Sequence, residues 1–162
     1  MKIAIRPAKI QDCIRILELV RELAEYERAP DEVSVTTEEF IDAGFGIKPV
    51  WTAYVAEVDD KIEGFALYYV RFSTWKGCKL YLEDFYVTEQ MRGNGIGKML
   101  FETMIKEAHT QNFNGMNWQV LDWNEPALNF YNKYESNIES GWLNASLLKE
   151  QIQSFNASSV KI

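Results

Sequence analysis

Apolar and polar positions follow two different periods along the chain, and these periods mark short strands and helices. A two-residue period rich in Tyr, Val and Phe predicts an antiparallel meander. Its strands are Trp51–Val58, Ile62–Phe72 and Cys78–Val87. A helical period predicts one helix between Ile10 and Pro30, with Asp12 at its start, and a second over Gly95–Thr110. The predicted buried side of the second helix is Ile96, Met99, Leu100, Thr103, Met104 and Ala108.

Shorter patterns predict the remaining elements. Thr36 and Glu39 resemble a capping box for a short helix that ends at Gly44, and Asn124 caps a helix with Pro126 in its first turn. Further predictions are strands at Lys2–Arg6, Met116–Leu121 and Trp142–Leu147, a bulge at Gly64 and a terminal helix at Lys149–Phe155. Together these elements indicate a mixed α/β sheet in one domain spanning residues 1–162.

Charge and composition exclude several classes of protein. The chain has 162 residues, with Lys+Arg 17 against Asp+Glu 24 and a net charge of −7, which argues against binding to a nucleic-acid backbone. The N-terminus lacks the apolar core of a signal peptide, and no stretch approaches the ~18 unbroken apolar residues of a membrane helix. Cys13 and Cys78 lie in unrelated patterns, so we expect reduced thiols in a soluble cytoplasmic protein with no membrane partner.

Acidic residues greatly outnumber basic ones between Glu18 and Glu39. One interpretation is a solvated helix surface with local ion pairs such as Arg21 with Glu25. The other is an electrostatic field that attracts cations. The sequence pattern leaves both interpretations open.

A glycine-rich turn follows the third meander strand and leads directly into the long helix. Gly93, Gly95 and Gly97 would let the backbone curl so that consecutive N–H groups point at one spot at the helix N-terminus. Such a turn can hold a pyrophosphate, and Arg92 and Lys98 flank it. The spacing differs from the G-x-G-x-x-G fingerprint and from the P-loop, and a merely flexible start to the helix is the alternative.

Several blocks in the same order resemble a known family. The block from Gln90 to Gly95 is similar to the acetyl-coenzyme A signature of the GNAT superfamily of N-acetyltransferases. More narrowly, the chain resembles the diamine (spermidine/spermine) acetyltransferase family, and Ser73–Gly77 with Leu121–Asn124 resembles its thialysine-acetylating branch. Further matching blocks are Tyr81–Phe85, Arg92–Gly97, Trp123–Pro126 and Asn129–Tyr131.

This resemblance implies a fold, a cosubstrate and an assembly. The fold is a mixed, mostly antiparallel central sheet flanked by helices on both faces. The reaction is direct attack of a small cationic amine on acetyl-CoA, in a homodimer that needs no metal. The residues implied in coenzyme binding are Phe85, Tyr86, Val87, Arg92, Gly93, Asn94, Gly95, Ile96, Gly97, Lys98, Asn124, Pro126 and Ala127.

The amine must lose a proton before it attacks, and a carboxylate can accept that proton. Glu83 is the candidate base, because Glu83 and Asp84 interrupt an otherwise apolar strand. Since adjacent strand residues point to opposite faces, we expect these two carboxylates to have different roles. The resemblance implies that Tyr131 lies beside the thioester sulfur, where it can stabilise the departing thiolate. Candidate substrate-binding residues are Tyr26, Glu27, Trp75, Glu83 and Asp84.

The chain departs from the family pattern after the tyrosine helix. Glu135 stands where the family usually has glycine, and Ser140 stands where the polyamine enzymes have an acid before Gly-Trp. The substrate is therefore open among polyamines, diamines and thialysine-like amino acids. Acetylation of a protein N-terminus or lysine is a second possibility, and a catalytically silent coenzyme A-binding module is a third. His109 lies among polar residues on the long helix, so we expect a surface position and no metal site.

Overall fold

The computed structural model describes residues 1–157 and contains a five-stranded sheet with helices. The chain divides into two compact units, Met1–Gln119 and a second that begins at Val120. The strands are β1 (Ile3–Pro7), β2 (Thr52–Val58), β3 (Lys61–Ser73), β4 (Gly77–Val87) and β5 (Met116–Trp118). The helices are α1 (Cys13–Tyr26), α2 (Thr37–Phe45), α3 (Ile96–Thr110), α4 (Glu125–Asn132) and α5 (Lys149–Ala157). No helix within residues 1–157 is both long enough and apolar enough to cross a membrane.

The strands lie in the order β1-β2-β3-β4-β5. Pairs β1/β2, β2/β3 and β3/β4 are antiparallel, whereas β4/β5 is parallel. The predicted meander and the mixed, mostly antiparallel sheet are thus confirmed. A parallel pair needs a crossover connection, and α3 provides it between β4 and β5.

Helices cover both faces of this sheet. On one face, α1 and α2 bury Cys13, Ile16 and Phe40 against Val55 and other strand residues. On the other face, the α3 residue Glu107 accepts hydrogen bonds from the hydroxyls of Tyr54 (3.0 Å) and Tyr68 (2.9 Å). Tyr54 and Val55 are neighbours on β2 and therefore face opposite sides. This alternation places α1 and α3 on opposite faces of the sheet.

Local signals predicted the helix starts well. The Thr36 hydroxyl accepts from the backbone N–H of Glu39 (3.1 Å), and the Glu39 carboxylate accepts from the N–H of Thr36 (3.0 Å), which confirms the capping box. The Asn124 Oδ1 atom accepts from the N–H of Ala127 (3.2 Å) at the start of α4. Asp12 precedes α1 as expected, but its carboxylate pairs with Arg6 (2.6 Å).

Four predicted details are wrong. Helix α2 continues past Gly44 to Phe45, and Gly44 serves a packing role instead, because a Cβ there would clash with the Trp51 ring. On α3, Met99 is exposed and Phe101 is buried instead, where its ring packs edge-on against Trp118.

The other two errors concern strands. Strand β5 ends at Trp118 and does not reach Leu121. Residues 142–147 form no strand, and their apolar side chains Trp142, Leu143 and Leu147 are exposed. An alternating pattern becomes a strand only where a neighbouring strand pairs with it, and the local sequence does not reveal that neighbour.

Candidate active site

The glycine turn between β4 and α3 is open on its outer side. Gly93 and Gly95 both have φ +80°, in the left-handed region that favours glycine, and Gly95 is the N-cap of α3. A Cβ at either position would have no heavy atom within 4 Å. The first turn of α3 contains no acidic residue. The turn therefore presents unobstructed N–H groups and the positive end of the helix dipole, which suits a diphosphate.

Gly97 differs from the other two glycines, so the prediction that all three curl the backbone is wrong. It lies inside the first turn of α3 without a positive φ. A Cβ there would be 3.5 Å from the Phe85 ring, an ordinary contact. Ile96 is buried, so only its backbone can face a ligand. The curl itself comes from Gly93 and Gly95.

The two cations beside the turn have different partners. The Arg92 guanidinium stacks on the Tyr26 ring at 4.6 Å, lies 5.5 Å from the Tyr86 ring, and donates from Nε to the Val87 carbonyl (3.2 Å). Lys98 is exposed, and its Nζ lies 3.8 Å from Glu102. The Asn94 amide donates to the Met91 carbonyl (3.1 Å) and so shapes the turn. Arg92 thus links the turn to the end of α1.

A cleft of about 240 Å³ lies where α1 approaches the turn. Three glutamates, two tyrosines, a glutamine and Arg92 line it. These residues are Glu22, Glu25, Tyr26, Tyr86, Glu89, Gln90 and Arg92. Tyr86 is buried, whereas its neighbours Phe85 and Val87 are half-buried. The last residues of β4 therefore contribute side chains both to the core and to the accessible surface.

Two other carboxylates act electrostatically on Asp84 of β4, Glu83 from the same strand and Glu27 from just after α1, and we call Glu27, Glu83 and Asp84 the acidic trio. Burial, the charge of Glu83 and the charge of Glu27 together raise the pKa of Asp84 to about 6. Partial burial also raises the pKa of Glu27. A cation bound among these groups would relieve their repulsion. Part of the acidic segment Glu18–Glu39 is thus placed beside the strand carboxylates.

The rest of that acidic segment behaves differently. Glu18 and Glu22 pair with Arg15 at 2.9 and 3.0 Å. Glu38 and Glu39 are exposed in the first turn of α2, where negative charge is favourable. The solvated-surface interpretation therefore holds for these residues, and attraction of a cation by Glu27 stays a prediction.

A β-bulge at Glu83 changes the expected geometry of the strand pair. Leu67 pairs with Asp84 and Tyr68 with Leu82, so Glu83 is an additional residue on β4. A bulge interrupts the two-residue alternation, so the argument that Glu83 and Asp84 must face opposite sides does not apply. Tyr69 was not predicted from the sequence as part of this site. Burial, and then the charge of Glu83, raise the pKa of its hydroxyl. Only strand pairing could reveal this proximity.

Trp75 does not join the trio within the same chain. It lies in the turn between β3 and β4 and is 87% exposed. From Gly77, the first residue of β4, the strand rise of ~3.3 Å per residue puts Glu83 roughly 20 Å away. Trp75 therefore lies at the opposite end of the strand from the glycine turn.

The remaining candidate residues belong to the second unit. Asn124 and Tyr131 are buried on α4, and Pro126 occupies the first turn, where its missing N–H has no cost. The Ser136 hydroxyl donates to the Tyr131 carbonyl (3.0 Å). Ser140 is exposed in a segment without regular structure. Asn124 is thus a helix cap by geometry, and its role in coenzyme binding stays a prediction.

Glu135 explains one departure from the family pattern. Its φ is +54°, in the region that favours glycine. This backbone conformation would suit the glycine that the resemblance implies at this position, and the glutamate here is strained. His109 is exposed, and residues 1–157 contain no group of three or more metal-binding side chains.

Comparison with known proteins gives consistent results. The model of the acetyltransferase (GNAT) family matches residues 15–135. Thialysine N-epsilon-acetyltransferase of Bos taurus is 39% identical over 137 residues, which cover 80% of this chain and 81% of that protein. Spermidine/spermine N(1)-acetyltransferase-like protein 1 of Homo sapiens is 36% identical over 148 residues. This match covers 85% of the chain but only 21% of the human protein.

A solved structure shows the same fold. The integron cassette protein VCH_CASS6 of V. cholerae superposes with a TM-score of 0.77 at 21% identity. The match covers 98% of this chain and 99% of that one. At this identity the similarity is one of fold alone.

Proposed function

The chain belongs to the GNAT acetyltransferase family and is an acyltransferase, and from this premise we propose its substrate, its site residues and their roles. It transfers the acetyl group of acetyl-CoA to a primary amine of a small cationic substrate. The amine attacks the thioester directly while both substrates are bound. Thialysine-like amino acids, diamines and polyamines are the substrates that the named relatives suggest.

The open turn at Gly93 and Gly95 supports a role in binding the coenzyme diphosphate. Two left-handed glycines on either side of Asn94, and a helix start without a side-chain cap, are suited to direct backbone N–H groups at an anion. Arg92 and Lys98 add positive charge at its edges. We propose that the pantetheine arm follows Phe85, Tyr86 and Val87, and that Asn124, Pro126 and Ala127 also contact the coenzyme.

The acidic trio is the observation that carries the substrate assignment. Burial, and then the negative charges of Glu83 and Glu27, raise the pKa of Asp84 to about 6, so a cation bound there would offset the cost of its ionised form. A neutral or anionic acceptor would not offset this cost. Tyr26, the residue before Glu27, ends α1, and its ring lies against Arg92 in the cleft beside the turn.

Proton removal is the main chemical obstacle. A lysine-like amine of pKa ~10.4 is neutral in only about 1 molecule in 2500 at pH 7. Glu83 is the proposed base, and Asp84 is a second candidate because a pKa of about 6 lies closer to neutral pH. A carboxylate that merely binds the ammonium would raise its pKa. We therefore propose that one carboxylate of the trio binds the substrate's distant positive charge, and that another accepts the proton from the reacting amine.

Tyr131 is proposed to assist the departing thiolate. Proton transfer from a phenol of pKa ~10 to a thiolate of pKa ~8.5 is uphill by about 2 kcal/mol. A hydrogen bond from the Tyr131 hydroxyl therefore contributes more to stabilising the departing thiolate than complete proton transfer does. Retention of full activity by Tyr131→Phe on every accepted amine would exclude this role.

The direct test is thiol release from acetyl-CoA across a panel of thialysine, spermidine, spermine, short diamines and lysine-containing peptides. We expect release with small cationic amines and a rise in amine KM of at least tenfold for Asp84→Asn, about 1.4 kcal/mol. The control Glu38→Gln removes an exposed acid outside the trio and should leave the amine KM unchanged. Release with peptides alone would support a protein acetyltransferase.

A thermal-shift experiment addresses the silent-module alternative. Stabilisation by acetyl-CoA without thiol release from any amine would support coenzyme binding without catalysis. The homodimer and the cytoplasmic location are further proposals. Light scattering and cell fractionation test them.

A further inference from the structure

A β-bulge on β3 lies beside the start of the glycine turn. Ala56 pairs with Gly64 and Glu57 with Ile62, so Glu63 is the additional residue on β3. The bulge lies at the end of the sheet where β4 finishes, because Gly64 pairs with Val87. Bulges bend a strand and redirect a side chain. Here the redirected side chain is a carboxylate.

Close packing fixes the position of this bulge. A Cβ at Gly64 would lie 2.9 Å from the Tyr86 carbonyl oxygen, a contact that real side chains do not make. The same Cβ would be 3.3 Å from the Leu100 Cδ1 atom of α3. Gly64 therefore lets β3 approach both the end of β4 and the helix that follows the turn.

Glu63 makes two hydrogen bonds to Thr88, the residue that follows the end of β4. The Thr88 N–H donates to the Glu63 carbonyl (2.9 Å), and the Thr88 hydroxyl donates to the Glu63 carboxylate (2.8 Å). Thr88 is 3% exposed, so its hydroxyl has little access to water. Loss of the carboxylate would leave a buried donor unsatisfied.

Thr88 is the link between the strand and the turn. Its carbonyl accepts from the N–H of Met91 (3.0 Å), which closes the single helical turn Glu89–Met91. The Glu89 carbonyl in turn accepts from the N–H of Arg92 (3.2 Å), the residue before Gly93. The orientation of Thr88 therefore fixes where the coenzyme turn begins.

We infer that Glu63 is a positioning residue for the coenzyme turn, acting through Thr88. This inference rests on the proposed function of that turn. The backbone bond alone holds Thr88 at one point and allows rotation about it. The second bond, to a charged acceptor, removes that freedom and holds the turn ready for the diphosphate.

The experiment compares Glu63→Ala, Glu63→Gln, Thr88→Val and Thr88→Ser in the full chain. The readouts are KM for acetyl-CoA, KM for the amine, kcat, and Kd for coenzyme A by calorimetry. Glu63→Ala and Thr88→Val should each raise the KM and Kd for coenzyme by roughly tenfold, about 1.4 kcal/mol, which is near the low end for one lost hydrogen bond to a charged group. The amine KM, and kcat at saturating coenzyme, should stay within about twofold because the acidic trio is intact.

The conservative variants separate positioning from general damage. Glu63→Gln keeps an acceptor oxygen and Thr88→Ser keeps the hydroxyl, so both should bind coenzyme nearly as well as the wild type. The double variant Glu63→Ala/Thr88→Val should be no worse than either single one, because both remove the same bond. The control Glu32→Ala removes an exposed carboxylate far from the turn in sequence and should change nothing. If Glu63→Ala fails to fold, the Thr88 pair still tests the inference.

Two failures can be told apart. Wild-type protein that does not bind coenzyme A overturns the proposed function and the inference together. Wild-type protein that binds coenzyme A, with unchanged Kd in Glu63→Ala and Thr88→Val, overturns the inference alone. A lower melting temperature of these two variants, without a change in their Kd for coenzyme A, also overturns the inference alone.

Discussion

The coenzyme turn and the acidic trio occupy the same stretch of β4 and its exit, yet they are built in opposite ways. The turn is continuous in sequence, from Arg92 to Lys98, and its proposed role is to attract an anion with backbone N–H groups. The trio combines Glu27, just after α1, with Glu83 and Asp84 on β4, and its proposed role is to attract a cation with side-chain charge. The two substrates of an acyl transfer to an amine carry these opposite charges.

The turn is determined by local backbone conformation, whereas the trio is determined by the packing of elements that are distant in sequence. The turn depends on local φ values and on its anchor at Thr88. The trio depends on how the end of a helix approaches a strand. Burial and neighbouring negative charge disfavour the ionised form of Asp84, and a bound cation would offset this cost. Arg92 connects them, since it begins the turn and stacks on Tyr26, the neighbour of Glu27. Three changes test this division, from the largest expected effect to the smallest.

Gly95→Val should damage the turn most. A β-branched side chain at φ +80° is strained and would also project into the open space in front of the N–H groups. We expect a loss on the order of 100-fold in kcat/KM for acetyl-CoA, in line with the strain of a left-handed non-glycine residue. Gly97→Ala, inside the helix, should cause a much smaller loss. Equal losses would mean that helix packing, not the curl, governs coenzyme binding.

Asp84→Asn should stabilise the folded protein relative to the wild type, and this difference in the free energy of unfolding should grow as the pH rises. The folded-state pKa of Asp84 is about 6 and the unfolded value is near 3.8, so folding disfavours the ionised form. The wild type therefore loses stability between pH 4 and pH 6, and this loss is complete above the folded pKa. We expect the variant to match the wild type near pH 4 and to exceed it by on the order of 2 kcal/mol at pH 7. Urea unfolding across this range measures the difference.

The matched control for this pH experiment is Asp31→Asn. Asp31 is an exposed carboxylate outside the trio. The free energy of unfolding of Asp31→Asn should differ from that of the wild type by an amount that does not grow over the same pH range. A variant Asp84→Asn that gains nothing between pH 4 and pH 7 would show that the trio carries no repulsion.

Tyr26→Leu should weaken the connection between the two sites. A stacked guanidinium and ring contribute about 1 kcal/mol, so we expect a rise of roughly fivefold in KM for acetyl-CoA and for the amine together. Tyr26→Phe keeps the ring and should have a smaller effect on the coenzyme KM. If Leu and Phe variants behave alike, the hydroxyl and not the stack is what matters at Tyr26.

Most local elements were predictable because their signals are local. The capping box at Thr36, the cap at Asn124, the bulge near Gly64 and the glycine turn each depend on residues within a few positions of one another. The errors concern contacts between distant residues. Gly44 lies inside a helix and leaves room for the Trp51 ring, and residues 142–147 form no strand.

By itself, the sequence determined the order of strands and helices, the family, and a glycine turn suited to a diphosphate. It also contained every carboxylate of the trio without showing that they meet. Only the tertiary structure decided that Glu27 lies near enough to Asp84 to affect its pKa, that a bulge at Glu83 breaks the alternation, and that Glu63 holds Thr88. Backbone conformation is set within a few residues, whereas electrostatic interaction depends on distance in space, which the fold alone establishes.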